Sequence, residues 1–149
     1  MQDTEDWNYL YTMVHLTRKE HFNAAHRLYV DAWSKEKNQE IFGKCANEHY
    51  HGHNFEVFVT VKGEPDPVTG FIMNAHELSQ IMKREICDEL DHKNLNLEVE
   101  WLKGHNPTCE VVVMKIWERI EPLIPSARLH SIRLQETPRI YVEYFGPKQ

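Results

Sequence analysis

The chain has 149 residues, and its 41% hydrophobic and 27% charged content are ordinary for one globular domain with a real core. A formal net charge of −6 excludes an overall basic surface for binding nucleic acid. No apolar run approaches the length of a membrane span, and the opening Met1-Gln2-Asp3-Thr4-Glu5-Asp6 is acidic rather than a signal peptide. A cytoplasmic protein with no membrane partner is expected, and the 3 cysteines, an odd number, fit thiols in a reducing compartment.

In chain order, residues 1–10 are expected to be a flexible extension of a single domain spanning 1–149. A strand is expected from about Tyr11 to Ala24, then a polar loop rich in Lys, Glu and Asn to about Tyr50. A second strand runs from His51 to Lys62, with Phe55, Val57, Val59 and Val61 on one face by strict alternation. Glu64-Pro65-Asp66-Pro67-Val68-Thr69-Gly70 makes a turn. Asn74 with Glu77 three later has the spacing of a capping box, and Leu78, Met82, Ile86 and Leu90 then fall on one helical face. A second helix follows Pro107-Thr108, with Val113, Ile116, Trp117 and Ile120 inward and Pro122 and Pro125 limiting it. Strands at Arg128 to Gln135 and Ile140 to Phe145 flank a turn at Pro138. This order, ββααββ, predicts an α+β fold with two helices on one face of an antiparallel sheet.

The chemistry is concentrated in Cys45-Ala46-Asn47-Glu48-His49-Tyr50-His51-Gly52-His53. His51 and His53 are two apart at the head of a strand, so both project from one face, with Gly52 leaving room between them. Two such imidazoles are two thirds of a catalytic zinc site, which keeps one position open beyond three protein ligands. His26, at the end of Phe22-Asn23-Ala24-Ala25-His26, is the best third ligand if its strand pairs with the Phe55 strand as a long hairpin. The competing readings are an ordinary polar residue at a strand end and a structural zinc knot of Cys45, His49, His51 and His53. The knot fits poorly, because structural sites usually supply ligands as two separated pairs.

Phe22-Asn23-Ala24-Ala25-His26-Arg27-Leu28, Gly43-Lys44-Cys45, His51-Gly52-His53-Asn54, Gly63-Glu64-Pro65-Asp66-Pro67-Val68-Thr69-Gly70, Leu90-Asp91-His92-Lys93-Asn94-Leu95 and Glu136-Thr137 together resemble the 6-pyruvoyl-tetrahydropterin synthase family. The resemblance runs in order from about Thr17 to Phe145. It implies the tunnelling fold, in which subunit sheets join into a twelve-stranded barrel per trimer. It also implies a homohexamer of two stacked trimers, active sites between subunits, and a zinc enzyme acting on the side chain of a reduced pterin.

Cys45 matches the family's proton-transferring base; taken alone, a lone cysteine is more often a buried apolar thiol. Asp91-His92 matches a proton relay, against the simpler reading of a histidine at a helix C-terminus. Glu136 matches the carboxylate that anchors the pterin ring through paired hydrogen bonds, where an isolated glutamate would be solvated. Thr108, Cys109 and Glu110 match a segment bordering the pterin pocket. Cys109 stands where the family usually has serine or threonine, which puts any hydroxyl contact in doubt, and Glu110 also suits a first-turn acid. Glu48 departs from the simplest pattern, since related enzymes of the folate branch use a glutamate there in place of the cysteine. This chain resembles the subgroup carrying both, against the plain reading of a solvated loop residue.

The resemblance therefore implies elimination of triphosphate from 7,8-dihydroneopterin triphosphate to give 6-pyruvoyl-tetrahydropterin, with a 6-hydroxymethyl-dihydropterin side product if Glu48 acts. A 6-carboxy-tetrahydropterin synthase of queuosine biosynthesis is the alternative, disfavoured by the five residues between Cys45 and His51. A non-catalytic zinc-binding oligomer is the third reading, opposed by Cys45, Asp91, His92 and Glu136 all being present. No Gly-rich dinucleotide fingerprint is found.

Overall fold

The structure, a computed structural model, describes residues 12–148; the expected extension at 1–10 lies outside them. Strand β1, Val14–His26, and strand β2, His51–Gly63, pair antiparallel over their whole length, from Val14 opposite Gly63 to His26 opposite His51. The expected start at Tyr11 lies outside the described residues; β1 begins at Val14 and runs two residues beyond Ala24, carrying the ladder to the histidine itself. Strand β4, Arg128–Thr137, adds antiparallel to β2, and strand β5, Ile140–Tyr144, to β4. A two-residue strand β3, Lys93–Asn94, lies parallel to the outer edge of β1, so the sheet order is β3-β1-β2-β4-β5.

The expected ββααββ order needs two corrections. The polar stretch before Tyr50 is not all loop: it contains helix α1, Lys35–Phe42, capped by Ser34, whose hydroxyl accepts from the Lys37 N–H. This helix is fixed by Asn38 rather than by an apolar stripe. Asn38 is fully buried, accepts from the Val30 N–H and donates to the Val30 and Ser34 carbonyls. The second correction is β3, too short to leave a periodic signal and held by pairing alone.

Helix α2, Ala75–Met82, opens at the Asn74 cap and continues through a π-helical turn, Lys83–Cys87, into α3, Asp88–Leu90. The four-residue steps survive this turn, and Leu78, Met82, Ile86 and Leu90 are all fully buried. Helix α4, Cys109–Ile120, is capped by Thr108, and it buries Val113, Ile116, Trp117 and Ile120. Both faces meet Phe22, Phe55, Val57, Val59, Val61, Ile132 and Leu134 of the sheet, removing apolar surface from water at about 25 cal/mol per Å². Among the described residues no helix is long and apolar enough to cross a membrane.

Candidate metal centre and adjoining cavities

The inward face of the sheet does not end where its apolar residues end. Period-two alternation carries Phe22 and Ala24 on to His26, and runs back from Val57 and Phe55 to His53 and His51. With His26 opposite His51 and Ala24 opposite His53, the three imidazoles share the lip of the core. One ring nitrogen from each lies within 4.8 Å of the others, a group able to hold a metal ion. Gly52 fits the close hairpin between them, since a Cβ there would meet the Ala24 carbonyl oxygen at 3.3 Å.

His26 is 1% exposed, and its Nδ1 is 2.8 Å from the Pro107 carbonyl oxygen. A carbonyl only accepts, so Nδ1 carries the proton and Nε2 presents a lone pair to the cluster. Such a bond to the remote nitrogen is the usual support of a metal-bound histidine. His26 Nε2, both ring nitrogens of His51 and His53 Nε2 are buried without a hydrogen-bond partner. Burial, followed by the neighbouring His26 and His53 rings, pushes His51 below the ordinary imidazole value, and burial does the same to His53. Neutral rings with orphaned buried lone pairs suit a cation and poorly suit anything else.

Glu136 lies against this cluster. Its Oε1 is 3.2 Å from His26 Nε2 and 3.5 Å from His53 Nε2. Behind it sits Cys109, whose thiol is pushed far up by burial and then by the Glu136 and Glu110 charges, and so stays protonated.

Cys45 and Glu48 line a cavity of about 760 Å³ together with His51, His53, Arg27, Lys35 and Lys44. The Cys45 carbonyl accepts from the Leu28 N–H at 2.8 Å, which ties the loop to the strand just past His26. Tyr50, in the left-handed region at φ 63°, turns the chain into β2 one residue before His51. Glu48 is 67% exposed, and its nearest ionic partner is His49 at 3.6 Å.

Asp91 and His92 stand elsewhere. His92, at φ 58°, borders a second cavity of about 520 Å³ lined also by Asn23, Gly52, His53 and Asn54. Asp91 Oδ2 is 2.8 Å from His92 Nδ1, and Asp91 Oδ1 accepts from the Asn23 N–H at 2.8 Å. Within the chain, Cys45 and His92 therefore line different cavities, which share His53. Thr108 accepts from the Val111 N–H as the α4 cap, Glu110 is exposed in the first turn, and Cys109 is buried. Sequence reasoning missed Pro107 and Asn23, which act through backbone atoms; no side-chain pattern announces such a role.

A five-stranded sheet with helices against one face and three histidines at its lip that could hold a metal ion defines an α+β domain with a candidate metal centre. The sequence pattern of 6-pyruvoyl tetrahydropterin synthase matches residues 15–147, and the chain belongs to that family. It is 41% identical to the 6-pyruvoyl tetrahydrobiopterin synthase of Pongo abelii, over 88% of this chain and 90% of that one. It is also 31% identical to the dihydroneopterin monophosphate aldolase of Pyrococcus furiosus, over 82% of this chain and 89% of that one. The solved Caenorhabditis elegans 6-pyruvoyl tetrahydropterin synthase superposes with a TM-score of 0.86 at 34% identity, covering 91% of this chain and 97% of that one.

Proposed function

We propose that the protein is a zinc-dependent 6-pyruvoyl-tetrahydropterin synthase, a lyase eliminating triphosphate from 7,8-dihydroneopterin triphosphate. The observation that carries this reading is the cluster of His26, His51 and His53 nitrogens within 4.8 Å, beside the cavity that holds Cys45, in a chain of this family. Three neutral nitrogens, one hydrogen-bonded behind to Pro107, suit zinc. Bound there, zinc would act as a Lewis acid toward the oxygens of the substrate side chain.

The chain's own groups do the rest. Cys45 as thiolate takes a proton from the side chain, and His92, oriented by Asp91, exchanges protons with the product as it tautomerises. Because Cys45 and His92 border different cavities in one subunit, the relay joins residues of neighbouring subunits in a homohexamer of two trimers. Glu136 anchors the pterin ring, with Thr108, Cys109 and Glu110 at the pocket border through backbone atoms. Arg27, Lys35 and Lys44 line the Cys45 cavity without an ion pair among the described residues, and they supply the positive charge a triphosphate needs. The Arg27 guanidinium lies 4.2 Å from the centre of the Tyr29 ring, which fixes its place. The free thiols Cys45, Cys87 and Cys109 support a reducing, cytoplasmic setting, and the charge of −6 supports no nucleic-acid partner.

A second activity is proposed through Glu48, which shares the Cys45 cavity and matches the folate-branch position; the aldolase relative favours it. A carboxylate base there would deprotonate a side-chain hydroxyl and start a retro-aldol cleavage to 6-hydroxymethyl-dihydropterin. Incubation with dihydroneopterin triphosphate and mass analysis of the pterins tests both readings. The 6-pyruvoyl product with released triphosphate is expected; a 6-carboxy product, or unchanged substrate, would overturn the main one.

A further inference from the structure

Glu136 is placed strangely for a residue whose proposed task is to hold a pterin. Its Oε1 faces two imidazole nitrogens at 3.2 and 3.5 Å, yet neither nitrogen has a hydrogen bond. For His26 the reason is fixed: Nδ1 holds the proton against Pro107, so Nε2 is a lone pair facing the lone pairs of a carboxylate. Two acceptors in contact repel unless something electron-poor is shared between them. A proton would satisfy only one of the two facing pairs and would charge a ring that is 1% exposed among two other imidazoles. A divalent cation satisfies both pairs at once, and His51 as well.

The spacing agrees. With zinc bonds of 2.0–2.2 Å to nitrogen and oxygen, neighbouring ligand atoms of a tetrahedron stand about 3.3 Å apart. The two Glu136 contacts fall on either side of that value, so the carboxylate oxygen already occupies a ligand vertex relative to His26 and His53.

We propose that Glu136 is the fourth zinc ligand of the substrate-free protein, closing by carboxylate the position that catalysis needs open. This rests on the zinc reading above. One carboxylate then serves two partners in turn, leaving the metal when a pterin engages it. The resting site is N3O and shielded from small anions, and substrate entry is coupled to its opening.

The test uses the cobalt-substituted full-length protein with azide as the probe, followed by visible absorption. Wild-type protein should bind azide weakly, and Glu136→Gln, nearly isosteric, at least ten-fold more tightly, while its zinc dissociation constant rises about ten-fold. X-ray absorption of wild-type zinc protein needs no variant and should show the carboxylate carbon behind the oxygen ligand; in Glu136→Gln that carbon should vanish. Azide affinity unchanged in Glu136→Gln, with zinc retained and no carboxylate carbon in the wild type, overturns the proposal and leaves the three-histidine zinc site standing. Wild-type protein that takes up neither zinc nor cobalt overturns both.

Discussion

Asp91 divides its carboxylate between its neighbour and a distant strand: Oδ2 is 2.8 Å from His92 Nδ1, and Oδ1 accepts the Asn23 N–H at the same distance. The His92 N–H in turn donates to the Asn23 carbonyl. A histidine in a left-handed backbone conformation is thus pinned from both sides to β1. Asp91→Asn keeps an oxygen for Asn23 but loses the charge that orients the imidazole. Turnover should fall at least ten-fold with little change in Tm; equal losses of both would make the residue merely structural.

The same contacts set a pH dependence. The Asn23 N–H, then His92, hold the Asp91 carboxyl below its ordinary value. A lowered carboxyl contributes stability above about pH 4 and loses it as pH falls through the folded-state value. Wild-type Tm should therefore drop more steeply below pH 4 than that of Asp91→Asn, by the share of this one partly exposed group. Parallel curves would show that the contacts are not maintained in solution.

Metal removal should act on the fold, since the ligands lie at the lip of the core. About one zinc per chain is expected on metal analysis. Chelation should lower Tm, and His51→Ala with His53→Ala should abolish zinc uptake. Unchanged zinc content in that double variant would remove these residues from the site.

Cys45 and Glu48 divide the proposed chemistry, and product profiles separate them. Cys45→Ala should abolish the 6-pyruvoyl product and spare any 6-hydroxymethyl product, with Glu48→Ala doing the reverse. If Glu48→Ala alters neither, the residue is a surface glutamate, as its 67% exposure would allow.

Thiol labelling gives an independent check on the cavity. Cys87 is buried with its thiol pushed up to about 11 by burial, and Cys109 is buried and pushed further. Cys45 lines an open cavity. Iodoacetamide on the native protein at pH 8 should modify Cys45 first, as peptide mapping would show, and the other two only after unfolding.

Residues whose side chains alternate or step by four were legible in the sequence: the β1–β2 hairpin, the Leu78 to Leu90 face and the α4 stripe. The clustering of His26, His51 and His53 followed from the same alternation, because a strand that buries Phe55 must point His53 the same way. Four features were not legible. Helix α1 rests on Asn38 hydrogen bonds rather than apolar periodicity. Strand β3 is two residues long. The backbone acceptor at Pro107 depends on where the loop before α4 crosses β1, which is a tertiary fact. The separation of Cys45 from His92 also belongs to tertiary packing, because sequence order says nothing about which side of the sheet a loop covers.

The two ends of segment 27–50 are fixed on adjacent strands, at His26 and His51, opposite each other in one ladder. The residues between them lie outside the ladder that places the three imidazoles. Cys45, Glu48 and the three cations beside them all belong to this segment or to its first residue. On the proposed function, the imidazole cluster rests on the hairpin while both candidate bases, Cys45 and Glu48, rest on the segment it closes, so a change in that segment can alter the groups facing the substrate while the hairpin keeps its register.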